Sequence, residues 1–184
     1  MTCHVMNITH EEDIRESTVR SVAERMLVAA RTAPKARGID NLALALVDRE
    51  GIREISDKMK EMAARDLAMS SFVRDASNIL AADALVLIGT RLKSMGLRSC
   101  SLCGFVNCGE KDGHPEIPCV FNAGDLGIAI GSATSLAMDH RVDNRVMYSV
   151  GQAALEMNLL GEDVRIAFGI PLSVSAKNPF FDRK

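Results

Sequence analysis

Apolar positions recur along the chain with two different periods. From residue 19 they fall at Val19, Val22, Ala23, Met26, Leu27 and Ala30, a helical stripe. Thr9-His10-Glu11-Glu12 ahead of it fits a capping box, and Pro34 and Gly38 bound it on the far side. Leu42 to Val47 is a short apolar run of strand length. Ile52, Ile55, Met59, Met62, Ala63 and Leu67 predict a second amphipathic helix. A third starts at Ser70 or Ser71 and runs through Phe72, Val73, Ala76, Ile79 and Leu80. Residues 84–89, ALVLIG, read as a buried strand.

Downstream, NAGDLGIAIGSATSLAMDH predicts a buried, glycine-bearing helix. Arg145 to Val150 predicts a short strand and Gln152 to Leu160 a short helix stopped by Gly161. Val164 to Ile170 predicts a third buried strand, ended by Pro171. The tail SVSAKNPFFDRK is polar, with two Phe residues expected at the surface. Helices and strands interleave throughout, so the fold class is α/β (α+β), a central sheet flanked by helices in layers. Neither a repeat nor a linker interrupts it, and 184 residues suit one domain, 1–184.

Composition excludes several functions. A net charge of −2 and a pI near 6.1 leave no basic footprint for nucleic acid, and one Tyr with no Trp leaves little for bases to stack on. The N-terminus, MTCHVMNITHEED, has no apolar h-region. The longest window without charge, between Asp125 and Asp139, is 13 residues, too short for a bilayer. The expectation is a cytoplasmic protein with no membrane segment, in which structural disulfides are rare.

That makes the cysteines informative. Cys100, Cys103, Cys108 and Cys119 are spaced C-x2-C-x4-C-x10-C, and Pro118 precedes the last. The ten residues before Cys119 span up to about 35 Å, ample for a fourth ligand to return. Four thiolates suit an iron–sulfur cluster or zinc. Leu102, Phe105, Val106, Ile117, Val120 and Phe121 supply an apolar collar, and only one C-x2-C knuckle is present. Both features favour a 4Fe–4S cluster over zinc. Gly104 follows the first pair where the backbone must turn. His114, between Cys108 and Cys119, is a conceivable replacement ligand but reads as a solvated side chain. Cys3 reads as an incidental terminal thiol. Asn122-Ala123-Gly124 opens a helix whose first amides would point at the cysteines.

CSLCGFVNC with the later Pro-Cys resembles the C-x2-C-G-x3-C…C signature of 4Fe–4S domains. In this setting the chain resembles a bacterial and archaeal family of ferredoxin-domain-containing proteins of unknown function. AARTAPKARGIDNL, SFVRDASNILAADALVLIG, DLGIAIGSA, VDNRVMYSVGQAAL and GIPLSVSAKNPFFDR carry that resemblance along nearly the whole length. It implies an inserted iron–sulfur, ferredoxin-type loop at 98–121.

A second resemblance is to FMN-dependent nitroreductases. It rests on Ala29-Ala30 with Ala33-Pro34, on FVRDASN followed by ALVLIG, and on the order from Asp125 to VRIAFGIP. It implies a mixed sheet flanked by helices and a homodimer with flavin at the subunit interface. Where those enzymes carry an Arg-rich phosphate-gripping motif, this chain has Ile14-Arg15-Glu16-Ser17-Thr18. Their Ser-x-x-Asn-x-Gln-Pro-Trp segment is replaced by Lys35-Ala36-Arg37-Gly38.

Lys35 and Arg37 follow a helix C-terminus, where cations complement the macrodipole. The alternative is a cofactor-binding grip on an FMN phosphate, joined by Lys177 and Arg183. Gly127 and Gly131, four apart, predict close packing against a neighbouring helix, with a cofactor ring as the alternative. Arg91, Lys93 and Arg98 read as a solvated edge, or as a dock for an acidic redox partner. Three functions follow: an electron-transferring 4Fe–4S protein, an FMN oxidoreductase of nitroreductase type with an auxiliary cluster, or a zinc-stapled binding protein.

Overall fold

The structure, a computed structural model, describes residues 7–66 and 70–181. Cys3, Leu67 and Arg183 lie outside them. The elements run α1 (Glu11–Thr32), β1 (Leu42–Val47), α2 (Arg49–Arg65), α3 (Ser70–Ile79), β2 (Ala84–Arg91), α4 (Cys108–Asp112), α5 (Val120–Asp139), β3 (Asp143–Asn144), α6 (Tyr148–Glu156) and β4 (Val164–Ser173). Single 3-10 turns cover Ala36–Gly38 and Pro179–Phe181. Among the described residues no helix is long and apolar enough to cross a membrane.

The four strands form one sheet in the order β1-β2-β4-β3, and every described pairing is antiparallel. β2 shows how one sheet serves two cores. Its side chains alternate, so Leu85 and Leu87 enter one apolar cluster while Ala84, Val86 and Ile88 enter the other. The first cluster holds α2, α3 and α6 against the sheet, with Ile55, Met59, Phe72, Ile79 and Val150 fully or nearly buried. The second holds α1 and α5, where Ala23, Met26 and Ala30 meet Leu126, Ala129 and Ala133. A helix-flanked sheet is therefore the architecture the periodicities predict.

Several local expectations are corrected. Thr9 does not cap α1. The cap is His10, without a side-chain bond, and Glu11, Glu12 and Asp13 complement the helix N-terminus instead. Residues 145–150 are not a strand. Met147 makes an isolated bridge to Gly169, and α6 begins at Tyr148. The helix wins because α6 lies almost on β4: a Cβ on Gly151 would sit 1.8 Å from the Ala167 carbonyl oxygen, and one on Gly169 2.2 Å from Val150.

β4 also continues past Pro171 to Ser173. The Gly169 N–H points to Met147, so by the two-residue period the missing N–H of Pro171 falls on that same edge. It faces the gap between the Met147 bridge and the β3 pairing at Leu172 and Ser173, where no ladder bond is lost. In the tail, Phe181 is exposed but Phe180 is fully buried in the α2/α3/α6 cluster. Arg145 and Asn78 both donate to the Phe180 carbonyl, at 2.7 and 3.4 Å.

Candidate metal centre

The cysteine segment lies between β2 and α5 and carries one helix of its own. α4 forms because Asn107 accepts from the Glu110 amide at 3.0 Å, while the Glu110 carboxylate accepts from the Val106 amide at 2.7 Å. That reciprocal pair places Cys108 at the first helical position. Ahead of it, the Gly104 amide donates to Ser101 at 3.0 Å, and Gly104 has φ +89°, the left-handed turn its position behind Cys103 calls for.

Cys119 caps α5 and is 4 % exposed; Cys100, Cys103 and Cys108 are half-buried, and all four thiols are free. As they stand, no three His, Cys, Asp or Glu side chains among the described residues are gathered closely enough to hold an ion. The donor chemistry fits a four-thiolate centre: four unpaired cysteines on one continuous segment, with no disulfide competing for them.

The expected collar is turned outward. Leu102 is 69 % and Val106 76 % exposed, and Ile117 and Val120 are also on the surface. Leu102 and Val106 line a shallow hollow with Cys100 and Phe121. His114 is exposed and stacks on Phe105 with ring centroids 5.2 Å apart, its Nδ1 3.7 Å from Glu116. Arg91 is held by Asp163 at 2.6 Å.

Two side chains, Asn122 and Asp125, fasten this segment in roles that motif spacing did not reveal. Asn122, 1 % exposed, accepts from the Lys93 amide and donates to the Lys93 carbonyl, both at 3.1 Å. It clamps the strand leaving β2 to the first turn of α5. The Asn122 amide is not free for a thiolate, because it donates to the Cys119 carbonyl at 2.9 Å. Asp125, 8 % exposed, accepts from the Ala36 amide on both oxygens, at 3.0 and 3.1 Å. The sequence signal for both was a polar residue on the inner face of an otherwise apolar helix.

Lys35 donates to the carbonyls of Ala30, Arg31 and Ala33, at 3.3, 2.6 and 2.9 Å, closing the end of α1. Arg37, at φ +57°, donates to the Met95 carbonyl at 2.5 Å. Both cations thus engage backbone. The turn between them and β1 is pinned by Asp40. Burial pushes its carboxyl up, but the Arg31 guanidinium at 2.6 Å and the Leu42 amide outweigh burial and hold it below the usual carboxylate range. Lys177 lies in the tail, where its carbonyl accepts from Ser175. Phe180 anchors that tail in the α2/α3/α6 layer, whereas Ala33 belongs to the α1/α5 layer. Gly124, Gly127 and Gly131 meet nothing within 4 Å, so the close helix packing expected of Gly127 and Gly131 is absent among the described residues.

The family model described as an uncharacterized protein containing a ferredoxin domain (DUF2148) matches residues 116–183, which include Cys119. An uncharacterized protein of Archaeoglobus fulgidus is 36 % identical over 184 residues, which span 96 % of this chain and 97 % of the relative. The chain belongs to the DUF2148 family. Solved structures show which fold this family member has. A BluB-like flavoprotein from Clostridium difficile superposes with a TM-score of 0.60 at 19 % identity, covering 94 % of this chain and 84 % of the other. A nitroreductase with bound FMN from Bacteroides fragilis gives 0.61 at 13 % identity, over 89 % and 81 %. The fold is nitroreductase-like.

Proposed function

We propose that this chain is a redox protein whose centre is a 4Fe–4S cluster held by Cys100, Cys103, Cys108 and Cys119. The observation that carries the reading is four free thiols, none of them in a disulfide, on one continuous segment. The family's ferredoxin-domain description and a fold shared with flavoproteins support the redox class. When bound, such a centre takes up and releases single electrons. The chain's own contribution is positional. Cys119 is fixed by the start of α5, Cys108 by the Asn107–Glu110 cap, and the entry of the loop by the Asn122 clamp.

Purification without air tests this directly. Brown protein with about four irons and matching sulfide per chain is expected. Colourless protein with one zinc overturns it in favour of a zinc-stapled binding protein.

A second reading, FMN bound at a homodimer interface, draws on the nitroreductase-like fold and the open glycine face of α5. Lys35, Arg37, Lys177 and Arg183 would be its phosphate grip. Lys35 and Arg37 would then have to exchange their present carbonyl partners for phosphate oxygens. Yellow fluorescence released by heat supports that reading, and a clean supernatant rejects it.

A further inference from the structure

β1 lies at the end of the sheet, with one side unpaired. It bonds only to β2, in an unbroken register from Leu42 opposite Thr90 to Val47 opposite Leu85. The Arg91 amide donates to the Asn41 carbonyl at 3.0 Å, so Asn41 faces β2. By the two-residue period Ala43, Ala45 and Val47 face it too. The N–H and C=O groups of Leu42, Leu44 and Leu46 point the other way.

That outer edge is covered at one end only. Asp40 accepts from the Leu42 amide at 3.0 Å, and the Arg31 and Arg91 guanidiniums donate to the Leu42 carbonyl at 3.3 and 3.2 Å. The outward groups of Leu44 and Leu46 have no partner among the described residues. LALALV also lacks the devices that keep an edge from pairing: it has no Pro, no Lys and no bulge against β2.

Two hollows that share Ala45 and Leu159 run along this edge. One, of about 500 Å³, is bounded by Arg31, Asp40, Leu44, Ala45, Arg91 and Leu159. The other, of about 310 Å³, is bounded by Ala45, Leu46, Val47, Glu54, Met157 and Leu159. Met157 packs on the α2/α3/α6 layer and makes one flank apolar, together with the exposed Leu159. Arg20 and Arg31 of α1 make the other flank polar.

The two ends differ in what they can bind. Arg31 and Arg91 are paired with Asp40 and Asp163, yet Nε and Nη2 of Arg31 and Nη2 of Arg91 have no acceptor among the described residues. Such donors suit a carboxylate. At the far end Glu54 is exposed and has no ion-pair partner among the described residues. Arg20 lines that end as well, but it bridges Glu24 at 3.3 Å, and Asp48 is occupied in capping α2.

Alternating unpaired N–H and C=O groups are matched by another extended backbone, and antiparallel pairing is the more stable arrangement. We propose that the outer edge of β1 binds an extended segment of a partner polypeptide as an added antiparallel strand. Its acidic end meets Arg31 and Arg91, its basic end meets Glu54, and its apolar alternate side chains lie over Met157 and Leu159. The inference does not depend on the cysteines.

The probe is the fluorescein-labelled hexapeptide Lys-Val-Thr-Val-Thr-Glu, added to the full chain and read by anisotropy and by amide exchange in NMR. Saturable binding at about 100 μM or tighter is expected, with exchange slowed at the Leu44 and Leu46 amides. The charge-swapped Glu-Val-Thr-Val-Thr-Lys should bind at least about tenfold more weakly. N-methylation of one alternate set of peptide amides should weaken binding by a similar factor, and methylation of the other set should leave it unchanged. Leu44→Pro removes an outward N–H and none that faces β2, so it should weaken binding at least about tenfold in a folded chain.

Absence of binding overturns the proposal. So do equal effects of the two methylated sets, or a charge-swapped peptide that binds as tightly. If Leu44→Pro does not fold, the methylated pair decides. Self-association that Leu44→Pro abolishes, with no peptide bound, gives the edge to a second copy and overturns the partner assigned here.

Discussion

Asp125 on α5 accepts from the backbone amide of Ala36, 89 residues earlier, with both carboxylate oxygens. The bond joins the turn after α1 to the helix that begins at Cys119. The buried carboxylate, one turn into α5, satisfies an amide that the 3-10 turn leaves unpaired. Hydrogen bonds to charged groups contribute about 1.5–3 kcal/mol. Asp125→Ala is therefore expected to lose roughly 2 kcal/mol, lowering Tm by about 4–8 °C in a domain of this size. Asp125→Asn, which retains one acceptor, should lose less than half of that. Thermal unfolding by circular dichroism measures both, and equal losses would contradict a contribution from the acceptor alone.

The Asn122 clamp makes a separate prediction, because it acts on the loop more than on the core. Asn122→Ala leaves the amide and carbonyl of Lys93 without their partner. Amide exchange over residues 93–107 should quicken by at least about tenfold, which corresponds to some 1.4 kcal/mol of lost local protection. Exchange in β2 and α2 should stay unchanged. Iron retained after desalting should fall in step with the loop's protection. Uniform acceleration along the chain would instead mark Asn122 as a general core residue.

How much of this was legible from the chain follows the strength of local pattern. β1 and the start of α3 match their predicted limits because the apolar runs are bounded by turn residues and polar caps. Where tertiary packing decides, the pattern misleads. Val146, Met147, Tyr148 and Val150 read as strand, yet Gly151 lets the segment coil directly against β4. The tail Phe pair looked alike in sequence, but Arg145 and Asn78 hold the Phe180 backbone and draw only its ring inward. At the candidate centre the cysteines were plain from spacing. The roles of Asn122 and Asp125 were not, because nothing in NAGD shows which backbone amides their side chains meet.

Acid sensitivity is expected where α6 meets α2. The Lys58 ammonium at 2.9 Å and then the Arg65 guanidinium at 2.6 Å hold the Glu156 carboxyl below its ordinary value, with burial a smaller opposing effect. A carboxyl depressed in the folded state stabilises fully above its unfolded pKa, about 4.3, and loses that contribution as pH falls through the lower folded value. All three side chains reach solvent, so the pair energy belongs with surface bridges, about 0.2–1 kcal/mol. Glu156→Gln should lower stability at pH 7 by that amount and flatten the fall between pH 5 and pH 3. Urea midpoints across that range check it, and parallel wild-type and variant curves would contradict it.

The glycine face of α5 allows a test of assembly. The opposite face is packed by Leu126, Ala129, Ala133 and Ala137 against α1 and the sheet, and Ser132 donates to the Ala29 carbonyl at 3.0 Å. Gly124, Gly127 and Gly131 have open space where a Cβ would be, and Ile128 and Met138 beside them are half exposed. Each glycine lowers helix stability by about 1 kcal/mol relative to alanine, a loss unexplained by packing within one chain. A second copy laid against this face would account for it, since only glycine lets two helices approach so closely. Within a single chain Gly127→Leu with Gly131→Leu is tolerated, because the new side chains enter empty space. The expected result is a wild-type dimer by sedimentation and a double variant that is monomeric yet folded, with Gly131→Ala raising the stability of that monomer. A dimer of unchanged affinity in the leucine variant, or a monomeric wild-type chain, would remove α5 as the contact surface.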